Sequence, residues 1–138
     1  MSSFGILSYG AYVPSTRLQR KAIAASNSWF NSSLRAFAQG ERAIGGWDED
    51  VITMGAEAAR ESLVGFDPAQ VSSIVLASTT LPFADRQNSG VIRSALMLPT
   101  PVRTADTTGS LRSATTALVE ALVGSADGST LVMGSDAR

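Results

Sequence analysis

The sequence predicts an α/β fold with a mostly parallel central sheet and helices on both faces. Three observations predict it. Residues 73–78 (SIVLAS) and 129–134 (STLVMG) are short apolar runs, the pattern of buried strands, and 102–107 (VRTADT) reads as the strand between them. Between them lie stretches with apolar residues at helical spacing. Strands joined by helical crossovers pair in parallel and need cover on both faces.

The elements follow in order. Residues 4–13 (FGILSYGAYV) mix aliphatic, aromatic and Gly residues and stop at Pro14, which reads as a first strand. Residues 19–26 form a short helix. Residues 27–46 hold Trp29, Phe30 and Phe37 among Ser and Gly residues and predict a covering loop or broken helix. Asp48-Glu49-Asp50 opens the clearest helix, whose stripe is Val51, Met54, Gly55, Ala58, Ala59, Ser62 and Leu63. Acids there complement the positive helix end and read as a cap; the competing reading is a metal-binding carboxylate cluster. Gly65 and Pro68 break this helix before the strand at 73–78. A polar loop, residues 79–85, leads into a third helix at 86–98, ended by Pro99 and Pro101. After the strand at 102–107, Gly109 begins a last helix with the stripe Leu111, Ala114, Leu118, Ala121 and Leu122. The strand 129–134 closes the series and only Ser135-Asp136-Ala137-Arg138 follow. Domains seldom stop directly after a buried strand, so residues 1–138 are expected to be one half of a larger unit.

Composition narrows the chemistry. The 138 residues carry 11 Lys+Arg against 12 Asp+Glu, a formal charge of −1 that leaves no electrostatic footprint for nucleic acid. No apolar run is long enough to cross a membrane, and Met1-Ser2-Ser3-Phe4 lacks the basic start of a signal peptide. There is no Cys and no His. A thiolate nucleophile, a Cys-based zinc site and a Ser-His-Asp triad are therefore excluded within this chain. The absence of Cys fits a cytoplasmic protein. Chemistry here must use carboxylates, hydroxyls, backbone dipoles or another polypeptide.

In parallel α/β sheets ligands collect at the carboxyl ends of the strands. Three segments are predicted there: 78–85, 106–113 and 134–138. The middle one, Asp106-Thr107-Thr108-Gly109-Ser110-Leu111-Arg112-Ser113, runs from strand straight into helix. Backbone N–H groups at such a helix start attract an anion or oxyanion. The alternative is an ordinary helix capped by Thr108 or Ser110.

Five stretches in succession resemble the first half of the thiolase superfamily, above all 3-hydroxy-3-methylglutaryl-CoA synthase and ketoacyl-ACP synthase III. Gly10-Ala11-Tyr12-Val13-Pro14 with Arg17-Leu18 resembles the opening strand and G-x-Y-x-P turn. Gly40-Glu41-Arg42-Ala43-Ile44 and residues 49–59 (EDVITMGAEAA) resemble the approach to the first long helix. Ile74-Val75-Leu76-Ala77-Ser78-Thr79-Thr80 is similar to the I-V-x-A-T-T strand. Asp106-Thr107-Thr108 is similar to the start of the D-T-T-N-A-C-Y-G-G-T nucleophile segment, and Leu131-Val132-Met133-Gly134-Ser135-Asp136 to the strand ending in G-S-D.

The resemblance implies two similar α/β halves stacked as five layers, with a dimer pairing through the strand at 102–107. It implies an acyl-CoA thioester as substrate, no covalently bound cofactor and no metal. It also implies carbon–carbon bond formation or retro-aldol or Claisen cleavage. The departures are as informative. Ungapped alignment puts Leu111 in the nucleophile slot, with Ser110 one residue earlier and no base in sight. Thr79 stands in the general-acid slot, for which Asp85 or Glu41 is a substitute that no motif supports. Trp29 falls near a Trp that contacts the CoA adenine, although a Trp packed on the core is the simpler expectation. Phe83 lies in a loop that reaches a neighbouring subunit's acyl pocket. Arg112 is placed to pair with Asp106, Asp136 or a substrate carboxylate, or to face solvent. The family's His and Asn belong to the second half, and Cys-less relatives with an OB-fold partner act as lyases. The expected function is a Cys-independent step on acyl-CoA; the alternative is a non-catalytic acyl-CoA-binding or assembly subunit.

Overall fold

The computed structural model describes residues 5–124 and 128–137. These form two compact units, residues 5–12 with 50–137 and residues 13–49.

In the smaller unit, β1 (Arg17–Gln19) pairs antiparallel with β2 (Glu41–Ala43), Leu18 opposite Arg42. Helix α1 (Arg20–Asn27) and a 3₁₀ turn at Ser32–Phe37 fill the excursion between them. The broken helix expected at 27–46 is this 3₁₀ turn and β2. The turn begins where Asn31 accepts the Ser33 N–H at 3.0 Å.

The larger unit holds a parallel sheet in the order β4-β3-β5: β4 is Arg103–Thr107, β3 Val71–Ala77 and β5 Ser129–Gly134. Helices α2 (Val51–Ser62) and α3 (Asn88–Ala95) pack on each other, and α4 (Ser113–Val123) touches all three strands. The chain goes from β3 outward to β4 through α3 and back across β3 to β5 through α4. With right-handed crossovers those two helices take opposite faces. Ile74 and Leu76 of β3, Met133 of β5, Ile92 of α3 and Val51, Ile52, Ala56 and Ala59 of α2 make the core.

Three expectations are corrected. No strand forms over 5–13 (Phe4 lies outside the described residues). A strand needs a partner's backbone, and this segment instead crosses α2. The Ala11 N–H donates to Glu61 at 2.6 Å, and a Cβ on Gly10 would lie 2.3 Å from the Ala58 carbonyl. Only Gly allows that approach.

The last helix does not begin at Gly109. That residue has φ +92°, outside the right-handed helical region, and the turn closes by Ser113 N–H to Ser110 C=O at 3.0 Å. The helix starts at Ser113. Its buried residues are Ser113 and Ala117, whereas Leu111 and Leu118 are exposed. Small residues face the sheet because α4 lies close to it; Ala114 already crowds Gly134.

The third helix is shorter than 86–98. Asp106 of β4 fixes its start by accepting the backbone N–H groups of Asn88 and Ser89. Met97 fixes its end in the left-handed region (φ 53°), with Leu98 N–H to Arg93 C=O and Met97 N–H to Ser94 C=O, both at 3.1 Å. This is a Schellman motif.

The helix opened by the acidic run forms as expected. Asp50 accepts the Thr53 N–H at 2.8 Å and Thr53 Oγ1 accepts the Asp50 N–H at 2.8 Å, a reciprocal capping box. Glu49 accepts the Gly46 N–H at 2.6 Å. The acids thus bind backbone donors, which supports the capping reading over the metal one.

Candidate active site

Strand register brings the site together. Ala77 lies level with Thr107 on one side and Gly134 on the other, so the segments after β3, β4 and β5 leave the sheet at one edge. Ser78 N–H donates to Thr107 C=O at 3.0 Å, and Ser135 N–H to Ala77 C=O at 3.1 Å. Around this edge is an open pocket of about 240 Å³. Its polar lining is Ser78, Thr79, Ser110, Ser113, Ser135 and Asp136, with Leu111 as its large apolar side chain.

Asp136 organises one wall. Its Oδ1 accepts from Thr79 N–H at 2.8 Å, Thr79 Oγ1 at 3.0 Å, Ser78 Oγ at 3.1 Å and Thr80 Oγ1 at 3.4 Å. Ala137 N–H donates to Thr80 Oγ1 at 3.0 Å, which ties the end of β5 to the loop after β3. The other wall is the turn before α4. Ser110 Oγ accepts the Arg112 N–H at 3.2 Å, and Ser113 Oγ donates to Ser110 C=O at 2.7 Å. Ser110 thus braces its own turn, two residues on, rather than capping α4 from the Ncap position.

Three of the residues singled out in the sequence therefore line one pocket: Thr79, Ser110 and Leu111. Leu111 is 71% exposed. The others lie elsewhere. Asp85 is exposed and forms an ion pair with Arg86 at 3.5 Å. The Arg86 guanidinium sits 4.9 Å from the Phe83 ring centroid. Arg112 occupies the Ncap position and makes no ion pair among the described residues; Asp106 and Asp136 bind backbone and hydroxyl donors instead. Trp29 belongs to the smaller unit, meets Phe30 edge-on at 5.9 Å and is 84% exposed, so the expectation of a core Trp fails. Among the described residues no group of three or more acidic side chains could hold a metal ion.

Asp106 supports the site from behind. Its Oδ2 accepts the Asn88 N–H at 2.7 Å and Asn88 Nδ2 at 2.9 Å, and Oδ1 accepts the Ser89 N–H at 2.8 Å. Asn88 in turn bonds both backbone groups of Phe83. Burial raises the Asp106 pKa, but the Ser89 and Asn88 side chains and their backbone N–H groups outweigh it, holding the carboxyl below 3.8. The Ser89 hydroxyl is buried and makes no hydrogen bond of full geometry, so it acts on the carboxylate as a nearby dipole.

The sequence reading missed the Asp136 cluster as a site. The sequence carries the parts, an Asp two residues beyond one strand and three consecutive hydroxyl residues just beyond another, but not their pairing.

No protein-family model matches the chain. It is 34% identical over 140 residues to a hydroxymethylglutaryl-CoA synthase of Aeropyrum pernix, covering 98% of this chain and 39% of that protein. It is 38% identical over 120 residues to the synthase of Thermococcus gammatolerans, 86% of this chain and 33% of that one. The chain thus spans between a third and two fifths of these relatives' length. Its backbone matches β-ketoacyl-ACP synthase III from Thermus thermophilus with a TM-score of 0.79 at 21% identity, covering 96% of this chain and 43% of that one. It also matches MvaS in complex with 3-hydroxy-3-methylglutaryl coenzyme A, with a TM-score of 0.72 at 22% identity, covering 88% and 30%. Ordered motifs, parallel topology and these similarities agree: the chain belongs to the thiolase superfamily and is hydroxymethylglutaryl-CoA synthase-like and ketoacyl-ACP synthase III-like.

Proposed function

We propose that the protein acts on acyl-CoA thioesters, making or breaking a carbon–carbon bond without a Cys nucleophile. The carrying observation is Leu111. It stands in the slot the resemblance gives to the nucleophile, exposed on the pocket wall, in a chain with no Cys. A hydrocarbon side chain cannot attack a thioester, and among the described residues Ser110 Oγ bonds the Arg112 N–H and no base. A step that avoids an acyl-enzyme remains open: an aldol or retro-aldol reaction at the carbon next to the thioester carbonyl. Thr79, in the general-acid slot, faces this pocket as a hydrogen-bonding group.

The acyl-CoA assignment draws support from the hydroxymethylglutaryl-CoA synthases the chain is similar to and from the MvaS complex. In this reading residues 1–138 supply one half of the site, and a second α/β half, with an OB-fold partner where present, supplies the His and Asn. The outer edge of β4 is the proposed dimer seam, Trp29 and Arg112 the CoA contacts and Phe83 the contact to the neighbouring acyl pocket. Lipid metabolism in the cytoplasm is the proposed setting. Among the described residues no helix is long and apolar enough to cross a membrane.

A second reading, a non-catalytic acyl-CoA-binding or assembly subunit, is favoured by one observation: among the described residues, Asp136 is the sole ionisable side chain lining the pocket. Incubating the intact protein with acyl-CoA and 3-hydroxyacyl-CoA thioesters separates the two. Release of a ketone or aldehyde with a shorter CoA thioester supports the enzyme. Binding without turnover supports the subunit. A stable acyl adduct at Ser110 overturns the claim that no acyl-enzyme forms.

A further inference from the structure

The hydroxyls lining the pocket differ in what they have left to give. Each has one proton to donate and lone pairs that accept. Ser78 Oγ and Thr79 Oγ1 donate to Asp136 Oδ1, and Ser113 Oγ donates to Ser110 C=O at 2.7 Å. Ser135 Oγ bonds none of the described residues. Ser110 differs from all four. Its oxygen is held by the Arg112 N–H at 3.2 Å, and its proton meets no acceptor among the described residues. It stands beside Leu111 in the turn after β4, and both line the pocket. A hydroxyl held through its lone pair is fixed in place, and accepting an N–H strengthens its own O–H as a donor.

We infer that Ser110 is the hydrogen-bond donor to the substrate's thioester oxygen: it does not attack the acyl carbon but stabilises the negative charge that the carbon–carbon step puts on that oxygen. The inference rests on the acyl-CoA reading. In the cleavage direction the 3-hydroxyl gives its proton to a base, in that reading the His of the second half. The C2–C3 bond breaks, and its electron pair passes through C2 to the thioester oxygen as an enolate. Ser110 keeps its proton and shares it with that oxygen. The base then returns its proton to C2, which leaves a shorter CoA thioester beside the released ketone or aldehyde. A donor in place before the charge develops needs no reorganisation during the step. Bond formation passes through the same enolate in reverse.

Three substitutions separate donation from bracing. Ser110 is exposed, so each costs little packing. Ser110→Thr keeps both functions. Ser110→Asp keeps an oxygen for the Arg112 N–H but has no proton to give when ionised. Ser110→Ala keeps neither. With the intact protein and 3-hydroxybutyryl-CoA, kcat is expected to fall about a hundredfold in the Asp and Ala variants, with KM changed by less than about threefold, and to stay within about threefold in the Thr variant. Full kcat in Ser110→Asp, or loss in Ser110→Thr, overturns the inference. Infrared spectra of the bound ligand, carbon-13 labelled at the thioester carbonyl, add a readout that bracing alone does not move. The carbonyl stretch is expected at lower frequency in the unmodified and Thr proteins than in Ser110→Ala; an unchanged stretch overturns the inference. Binding without turnover in the unmodified protein overturns the catalytic role and leaves the acyl-CoA assignment standing. Failure to bind overturns that assignment and the inference with it.

Discussion

Asp106 on β4 caps a helix it does not belong to: its Oδ2 accepts both the backbone N–H and the side-chain amide of Asn88, at 2.7 and 2.9 Å. Helix α3 has no side-chain cap of its own at Gln87. The carboxylate supplies one from the neighbouring strand, and Asn88 carries the restraint on to Phe83.

Removing that cap is expected to be costly. Asp106→Ala leaves the Asn88 and Ser89 donors without their acceptor and should destabilise the larger unit by about 1–3 kcal/mol, read as a lower urea midpoint at unchanged slope. The pH dependence has a definite sign. The folded Asp106 pKa lies below its ordinary value of 3.8, so its stabilisation is present above that value and is lost as pH falls through the lower, folded one. The Tm gap between the unmodified chain and Asp106→Asn should therefore be full at pH 7 and close only below the ordinary value. A gap that closes between pH 7 and 5 would contradict the assignment.

Met97→Gly should stabilise. Met97 occupies the left-handed position after α3 at φ 53° and is 90% exposed, so truncation loses little packing. Gly adopts that conformation without the Cβ clash, for a gain of about 0.5–1 kcal/mol. A urea midpoint that falls instead would show the Met97 side chain to be held by contacts.

Gly134→Ala should destabilise by about 1–3 kcal/mol through overpacking. Its Cβ would stand 2.9 Å from the Ala114 Cβ, and both atoms ride on backbone rather than on flexible side chains. Ala114→Gly in the same chain is expected to restore most of the loss, a coupling measured by the double-mutant cycle. Additive losses would mean that α4 and β5 do not meet through this pair.

Leu111→Cys offers a direct view of the slot. The chain holds no other Cys and Leu111 is 71% exposed. Iodoacetamide should modify the variant at a single site under native conditions, detected by intact mass, with the urea midpoint unchanged. Protection from labelling until the chain is unfolded would place residue 111 inside a core.

Legibility in the sequence followed locality. The strand at 129–134 and the start of α2 were both readable, because a strand shows as a short apolar run, although only Met133 of this one is buried, and a capping box needs two residues three apart. The first strand was misread because residues 5–13 have strand composition while strand formation depends on a partner backbone. Of the site, Thr79, Ser110 and Leu111 could be named in advance from motifs, and the pocket contains all three. Asp136 as its organiser could not, since its bonds to Thr79 span 57 positions and exist only through the pairing of β3 with β5.

The sequence by itself determined the α/β class, the parallel strands and the absence of any thiol or imidazole, because apolar periodicity and residue chemistry are properties of neighbouring positions. Tertiary structure decided where α3 and α4 begin, which residues of α4 face the sheet and which carboxylate gathers the hydroxyls. The start of α3 and the gathered hydroxyls depend on groups from separate strands brought level by register, the start of α4 on the Gly109 backbone and the turn closed by Ser113, and its buried face on close approach to the sheet.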